Sequence, residues 1–400
     1  MERQRMMSLR HRFTTESGRV RSMVVLIAAS ALIVLVAALM FLNLRDSNYS
    51  LDEDLTRNGL RDRYVKSPDI PNALLLKRED RPSHRPLNDA EWRAADHANH
   101  VKPEDFVLGL YLKNKARALP WWIMSHHHVA NLVLDGQPVL VVICEICSSG
   151  TAYNPVLEGR RHTFRVVGIY NGSHLISDYE TGSFWSPFSG EALHGPLKGS
   201  RMERLPLQQC TWAEWLALHP VSLVAYREGE SRGGHGRNFK PGRWGLPGPF
   251  KESLRRSFDP RLPPNELVLG VEINGQSRAY PLATLDKTGP AVNDTLGDQE
   301  IVVLHWPETL LAMAFSRRLG GEVLVFGEGE DGRIVDRKYQ GHWNYAGEAI
   351  DGPLAGQRLS VIPAQVEEWY IWVANRPATE VFGAGRLNIR SRASSSELTK

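Results

Sequence analysis

Hydrophobic positions along this chain fall into three patterns. From Met23 to Leu42 the run Met-Val-Val-Leu-Ile-Ala-Ala-Ser-Ala-Leu-Ile-Val-Leu-Val-Ala-Ala-Leu-Met-Phe-Leu contains no charge and no proline. At about 1.5 Å rise per residue such a helix spans roughly 30 Å, the hydrocarbon thickness of a bilayer, and it satisfies its own backbone groups. The run predicts a single transmembrane helix over residues 23–43. A cleaved signal peptide is the rival reading, but its apolar region is normally about 7–15 residues long and ends in an A-x-A-like site; Leu39-Met40-Phe41-Leu42-Asn43 offers none. The second pattern is a series of short β-rich runs, at Val139–Ile143, Thr163–Ile169, Val302–His305 and Val323–Phe326. Around Asn274-Gly275 the runs Val268–Ile273 and Ser277–Tyr280 read as a hairpin, because Asn-Gly suits a type I′ turn. The third is a pair of short helices, each with tryptophans spaced i, i+3 on one face, Trp212/Trp215 and Trp369/Trp372, whose expected role is core packing.

These patterns recur. Val107-Leu108-Gly109, Ala118-Leu119-Pro120, Asn131 and Val139–Ile143 are matched by Val268-Leu269-Gly270, Ala279-Tyr280-Pro281, Asn293 and Ile301–His305. Further on, Gly182-Ser183-Phe184-Trp185 answers to Gly341-His342-Trp343, and Gly195-Pro196-Leu197-Lys198-Gly199 to Gly352-Pro353-Leu354-Ala355-Gly356. An offset held between 157 and 162 residues marks an internal repeat. The expected fold class is mainly β (α+β): an N-terminal transmembrane helix, then two tandem β-rich domains, each closed by a short Trp-bearing helix. The expected divisions are a leader (1–22), the membrane helix (23–43) and a tether (44–103) with a short helix over Asp89–His97, where Asn88 and Glu91 resemble an N-cap and its N3 partner. Repeat 1 (104–226), a Gly/Arg/Pro-rich linker (227–265), repeat 2 (266–383) and a polar tail (384–400) follow.

Charge sets topology and excludes one class of partner. The leader holds six arginines against two glutamates, so of the chain's net +3 it carries +4, and the rest is near −1. The positive-inside rule then predicts a cytoplasmic N-terminus at a bacterial inner membrane, with everything after residue 43 outside. The lipid bilayer is the expected partner of the apolar run. A near-neutral remainder carries no electrostatic footprint for nucleic acid.

Three cysteines, Cys144, Cys147 and Cys210, are too few for a disulfide framework. Cys210 reads as a small buried apolar residue. The informative pair is Cys144-Glu145-Ile146-Cys147, because repeat 2 has Trp306-Pro307-Glu308-Thr309 in its place. Thiols retained in one copy of a scaffold that folds without them in the other point to chemistry. A Cys-x-x-Cys pair is compatible with a redox dithiol, whose thiolate is the nucleophile. It is equally compatible with half of a metal site, completed by His126, His127 or His128 around Zn²⁺ or Cu(I), or with a structural disulfide. The segment after Cys147 does not read as a helix, so a thioredoxin fold is not indicated. Gly-x-Ser-x-Gly, His-Glu-x-x-His and phosphate-loop motifs are absent, and the acidic run Glu328–Asp331 reads as a solvated turn. A redox or protein partner is expected on the first reading, a non-catalytic ligand- or partner-binding module on the alternative.

Asp178-Tyr-Glu-Thr-Gly-Ser-Phe-Trp-Ser, Gly195-Pro-Leu-Lys-Gly, Thr211-Trp-Ala-Glu-Trp, Arg261-Leu-Pro-Pro-Asn-Glu-Leu-Val-Leu-Gly-Val and Ala279-Tyr-Pro-Leu resemble the bacterial family of domain-of-unknown-function 3179, over about residues 104–383. The family carries Cys-Pro-Leu-Cys where this chain has Cys144-Glu-Ile-Cys147, with selenocysteine in some members, and the resemblance therefore implies redox rather than structural sulfur. The family's His-Glu-x-x-Asn-Asp segment falls on His127, His128, Asn131 and Leu132, so both of its carboxylates are replaced here.

Overall fold

The computed structural model describes residues 60–77, 85–88, 90–230, 246 and 248–383. They belong to one compact unit. The described residues are mainly β, 45% strand against 12% helix. The fold-class expectation needs correcting at its first element: no helix among the described residues is long and apolar enough to cross a membrane, and residues 23–43 lie outside them. It also needs correcting in its arrangement, because the two repeats share one folded unit rather than standing as tandem domains. The reason is apolar: Tyr370 and Ile371 of repeat 2 sit in the same core as Val142, Cys144 and Phe164 of repeat 1.

Each repeat is built the same way. Repeat 1 opens with the hairpin Phe106–Leu112/Lys115–Pro120, flanked by Gln208–Thr211 on one side and, in parallel, by Ser222–Tyr226 on the other. Repeat 2 does the same with Leu267–Ile273/Gln276–Pro281, Ala364–Glu368 and Glu380–Val381. The second sheet runs Glu203–Leu205, Ser149–Asn154, Gln137–Cys144, Val129–Leu134 in repeat 1, and Val361–Ile362, Ala312–Ser316, Gln299–His305, Ala291–Leu296 in repeat 2. Its central strand is buried on both faces, which is why it reads as a continuous apolar run rather than an alternation. Val139, Val141 and Ile143 face a core with Leu108 and Trp121, while Leu140, Val142 and Cys144 face one with Phe164 and Trp185.

Type I′ geometry closes the hairpins where Asp-Gly and Asn-Gly occur, with φ of 50° and 79° at Asp135-Gly136 and 50° and 78° at Asn274-Gly275. Glycine is needed for space at Gly109 and Gly270, where a Cβ would enter the rings of Trp215 and Trp372. Those buried indoles donate to Ser222 Oγ and Thr379 Oγ1, each at 2.8 Å. Asn131 and Asn293 each clamp a distant strand, bonding both the N–H and the carbonyl of Phe164 and of Phe326.

Two connecting regions differ from expectation. Part of the expected tether is the hairpin Tyr64–Lys66/Leu74–Leu76, which extends the Phe164–Tyr170 sheet; it does so because Tyr64, Leu74 and Leu76 are buried in the cysteine-bearing core. The short helix expected at 89–97 is instead the strand Glu91–Ala94 and a 3₁₀ turn, Ala95–His97. Pairing of Glu91–Ala94 with the edge strand Ser222–Tyr226 outweighs the local cap signal. Within the expected linker, the helix Gly248–Glu252 carries Phe250 into that same cysteine-bearing core.

Candidate functional site

Cys144 ends the strand Gln137–Cys144 and pairs with Ser149 across the turn 145–148. Cys147 lies within that turn, which Ser148 completes at φ 51°. This brings the two Cα atoms to 5.3 Å, and the cysteines form a disulfide. Both are enclosed, 2% and 0% exposed, in a core that also holds Phe250 and Leu254. The Cys147 N–H points at Cys144 Sγ (3.3 Å), and Cys147 Sγ lies 3.6 Å from the Gly172 carbonyl. Strand Ser149–Asn154 follows directly, so the pair does not open a helix.

Both repeats hold the turn. From repeat 1, Gln209 accepts from Gly150 N–H and donates to the Ser148 carbonyl at 3.2 Å. From repeat 2, the Glu368 N–H donates to the Cys147 carbonyl (3.1 Å), and the buried Glu368 carboxylate accepts from Ser148 Oγ (2.9 Å) and from Asn265 Nδ2. The Tyr370 hydroxyl donates to the Gly172 carbonyl at 3.2 Å, the carbonyl that faces Cys147 Sγ. Burial pushes the Tyr370 hydroxyl well above the usual tyrosine range, so it remains a donor.

The two repeats differ at this contact. In repeat 1, Thr211 caps the helix Trp212–Leu218 and forms a capping box with Glu214. Glu368 occupies the Thr211 position of the helix Trp369–Asn375 and makes no side-chain cap, while Ile371 occupies the Glu214 position and packs into the cysteine core. The Cys210 position is held by Glu367, buried and pushed up to about 7 by desolvation, against the pull of Arg376 and Arg204. In the reverse contact the loop carries no thiols: Trp306 and Leu311, from the loop aligned with the cysteine turn, pack in one cluster with Trp212, Trp215 and Cys210 of repeat 1.

The three histidines divide. His127 is bonded at both nitrogens, Nδ1 donating to the Arg85 carbonyl and Nε2 paired with Glu230 Oε1, each at 2.7 Å. In this way it ties both ends of repeat 1 to the helix Trp121–His127. His126 sits beside it, ring centres 6.4 Å apart. His128 is the left-handed C-cap of that helix and meets His174 edge-on at 4.7 Å, and His174 in turn faces Phe250. Among the described residues no group of three His, Cys, Asp or Glu side chains could hold a metal ion, so the expected Zn or Cu site gains no support. Arg160 and Arg161 are exposed, and Arg161 reaches the Asn131 carbonyl. Cys210 is buried and free, its thiol pushed far up by burial.

Sequence reasoning did not find Glu367, Glu368 or Tyr370. A signal for them existed in the offset of 157 residues, which places Glu368 opposite Thr211 and Ile371 opposite Glu214 and so exposes the loss of one capping box. Residues 80–379 match the family described as protein of unknown function (DUF3179). No curated protein and no solved structure matches the chain.

Proposed function

The chain belongs to the DUF3179 family, and we propose that it is a thiol–disulfide redox protein whose working pair is Cys144 and Cys147. The observation that carries this reading is the difference between the repeats at a cysteine turn that only repeat 1 possesses. A packing disulfide needs apolar neighbours; it has no use for a buried carboxylate on the adjoining serine, set where the sister helix keeps its cap.

Reduction breaks the S–S bond with two electrons and two protons, supplied by a partner dithiol that becomes a disulfide. The Cys147 N–H favours thiolate character at Cys144, because hydrogen bonds to the charged form lower a pKa. The Gly172 carbonyl beside Cys147 Sγ favours the protonated thiol there. Cys144 is then the attacking sulfur when the reduced protein passes its electrons on. Since both cysteines are buried, exchange requires the residues around them to move aside. A disulfide-bearing resting state fits an oxidising compartment outside the cytoplasm.

The test is a redox titration of the full chain against dithiothreitol, read by thiol trapping. Wild type should show one reversible two-electron couple with the fold retained, and Cys144→Ser or Cys147→Ser should abolish it without unfolding. If the disulfide is reduced only as the protein unfolds, the bond is structural and the proposal fails.

A further inference from the structure

Away from the sulfurs, the repeats meet along a cleft of about 300 Å³ whose lining includes Arg201, Arg204, Glu272, Trp372 and Arg376. An adjoining pocket of about 210 Å³ shares Arg201, Glu272 and Arg376 and adds Arg255, Arg256 and Glu191. Five arginines and two glutamates line the two pockets, and the buried Glu367 carboxyl lies within electrostatic reach of Arg376 and Arg204. Arg376 is the innermost, with its side chain 9% exposed. It stacks over the Trp372 ring at 4.2 Å and donates from Nε to Glu272 (2.7 Å) and from Nη2 to the Phe188 carbonyl (3.4 Å). Its Nη1 is buried with no hydrogen-bond partner. A buried charged donor left unmade is costly, and turning Nη1 out onto an anion in the cleft would relieve that cost.

The fold does not require this charge. At the corresponding place on the other side of the molecule, His219 stands for Arg376, Tyr111 for Glu272 and Arg358 for Arg201. There the rings close on one another: His219 stacks on Tyr111 at 4.8 Å and leans on Trp215 at 4.3 Å, and Arg358 covers Tyr111 at 4.8 Å. His219 is held neutral, pushed down to about 4 by burial. One position of the scaffold is thus filled by an aromatic stack, and its counterpart by converging guanidinium groups beside a cavity.

We propose that this cleft is a binding site for a small phosphate-bearing anion. Guanidinium forks match phosphate oxygens in bidentate pairs. Arg204 is held by Gln365, Tyr153 and the Phe188 carbonyl, so Arg201, Arg255, Arg256 and Arg376 supply the donors; these are more than the two oxygens of one carboxylate accept, whereas a phosphate monoester presents three terminal oxygens. The volume lies at the lower end for small-molecule sites. Arg201, 55% exposed and loosely paired with Glu191 at 3.4 Å, stands at the rim and is free to swing onto a ligand.

The site makes no use of the thiols, so it stands or falls apart from the redox reading. Calorimetric titration of the full chain with pyrophosphate at fixed ionic strength should give one saturable site. Arg201→Ala should weaken it by about tenfold, the worth of one charge-assisted contact, without shifting the melting temperature of the unliganded protein. Arg376→Met should weaken it further, while Arg358→Ala, the counterpart on the opposite side, and Cys144→Ser should leave it unchanged. No saturable binding, binding that Arg201→Ala does not weaken, or citrate binding as tightly with the same arginine dependence would each overturn the proposal.

Discussion

Glu367→Gln should stabilise the protein, and only at neutral to alkaline pH. Glu367 is fully enclosed, and desolvation raises its carboxyl from 4.5 to about 7 although Arg376 and Arg204 pull the other way. The folded state therefore binds this proton more tightly than the unfolded chain does. Below pH 4.5 the group is protonated in both states and contributes nothing. Between 4.5 and 7 the unfolded chain ionises first and folding loses stability with rising pH, and above 7 the loss is complete. At 1.36 kcal/mol per pKa unit the full loss is about 3 kcal/mol. Glutamine keeps the shape and carries no ionisable proton. The variant minus wild-type difference in unfolding free energy, from urea titrations, should rise by about 3 kcal/mol between pH 4 and pH 8. Taking the difference removes the opposite trend from His219, which titrates alike in both proteins and costs stability as pH falls from 6.5 towards 4. A difference that stays flat with pH would refute the reasoning, because it would mean that Arg376 and Arg204 compensate the Glu367 charge in full.

Glu368→Ala leaves the Ser148 and Asn265 donors without their carboxylate and should cost about 2–4 kcal/mol. It should also speed dithiothreitol reduction of the Cys144–Cys147 bond, with Glu368→Gln milder on both measures. Gly109→Ala and Gly270→Ala each force a methyl into a buried indole and should cost more than about 3 kcal/mol by chemical denaturation. Gly136→Ala, with open space around it but φ of +79°, should cost only about 1 kcal/mol. Asn131→Ala strips two backbone partners from Phe164 and should destabilise by about 2–4 kcal/mol, with Asn293→Ala acting in the same direction through Phe326.

What could be read in the sequence was local or periodic. The hairpins at Asp135-Gly136 and Asn274-Gly275 declare themselves because their turns need positive φ at two successive residues. The tryptophan pairs declare themselves because i, i+3 spacing marks one face of a helix. The repeat offset located matching elements before any contact was known. The misreadings arose where distant partners decide: Tyr64–Lys66 lies in a stretch that is polar by composition, and it becomes a strand because Leu74–Leu76, itself joined to the Phe164–Tyr170 sheet, is there to pair with it. The same limit hid half of the site. Ser148 and Glu368 are 220 residues apart in sequence, and neither residue type announces such a partner.

The two halves of the molecule meet through equivalent surfaces, each loop packing on the other repeat's tryptophan helix, and this reciprocity is what makes their differences interpretable. Where the contact serves packing alone, the loop offers Trp306 and Leu311, and the facing helix keeps Thr211 and Glu214 as its cap. Where the loop carries Cys144 and Cys147, the facing helix gives up that cap, and Glu368, Tyr370 and Ile371 turn to the cysteine turn and its core. A lost capping box costs about 1 kcal/mol, and a buried carboxylate costs more unless its hydrogen bonds are made. Both costs fall on the side that holds the sulfurs. On the proposed redox reading the site belongs to neither repeat by itself: repeat 1 supplies the disulfide and Gln209, and repeat 2 supplies Glu368 and Tyr370, which would feel its reduction.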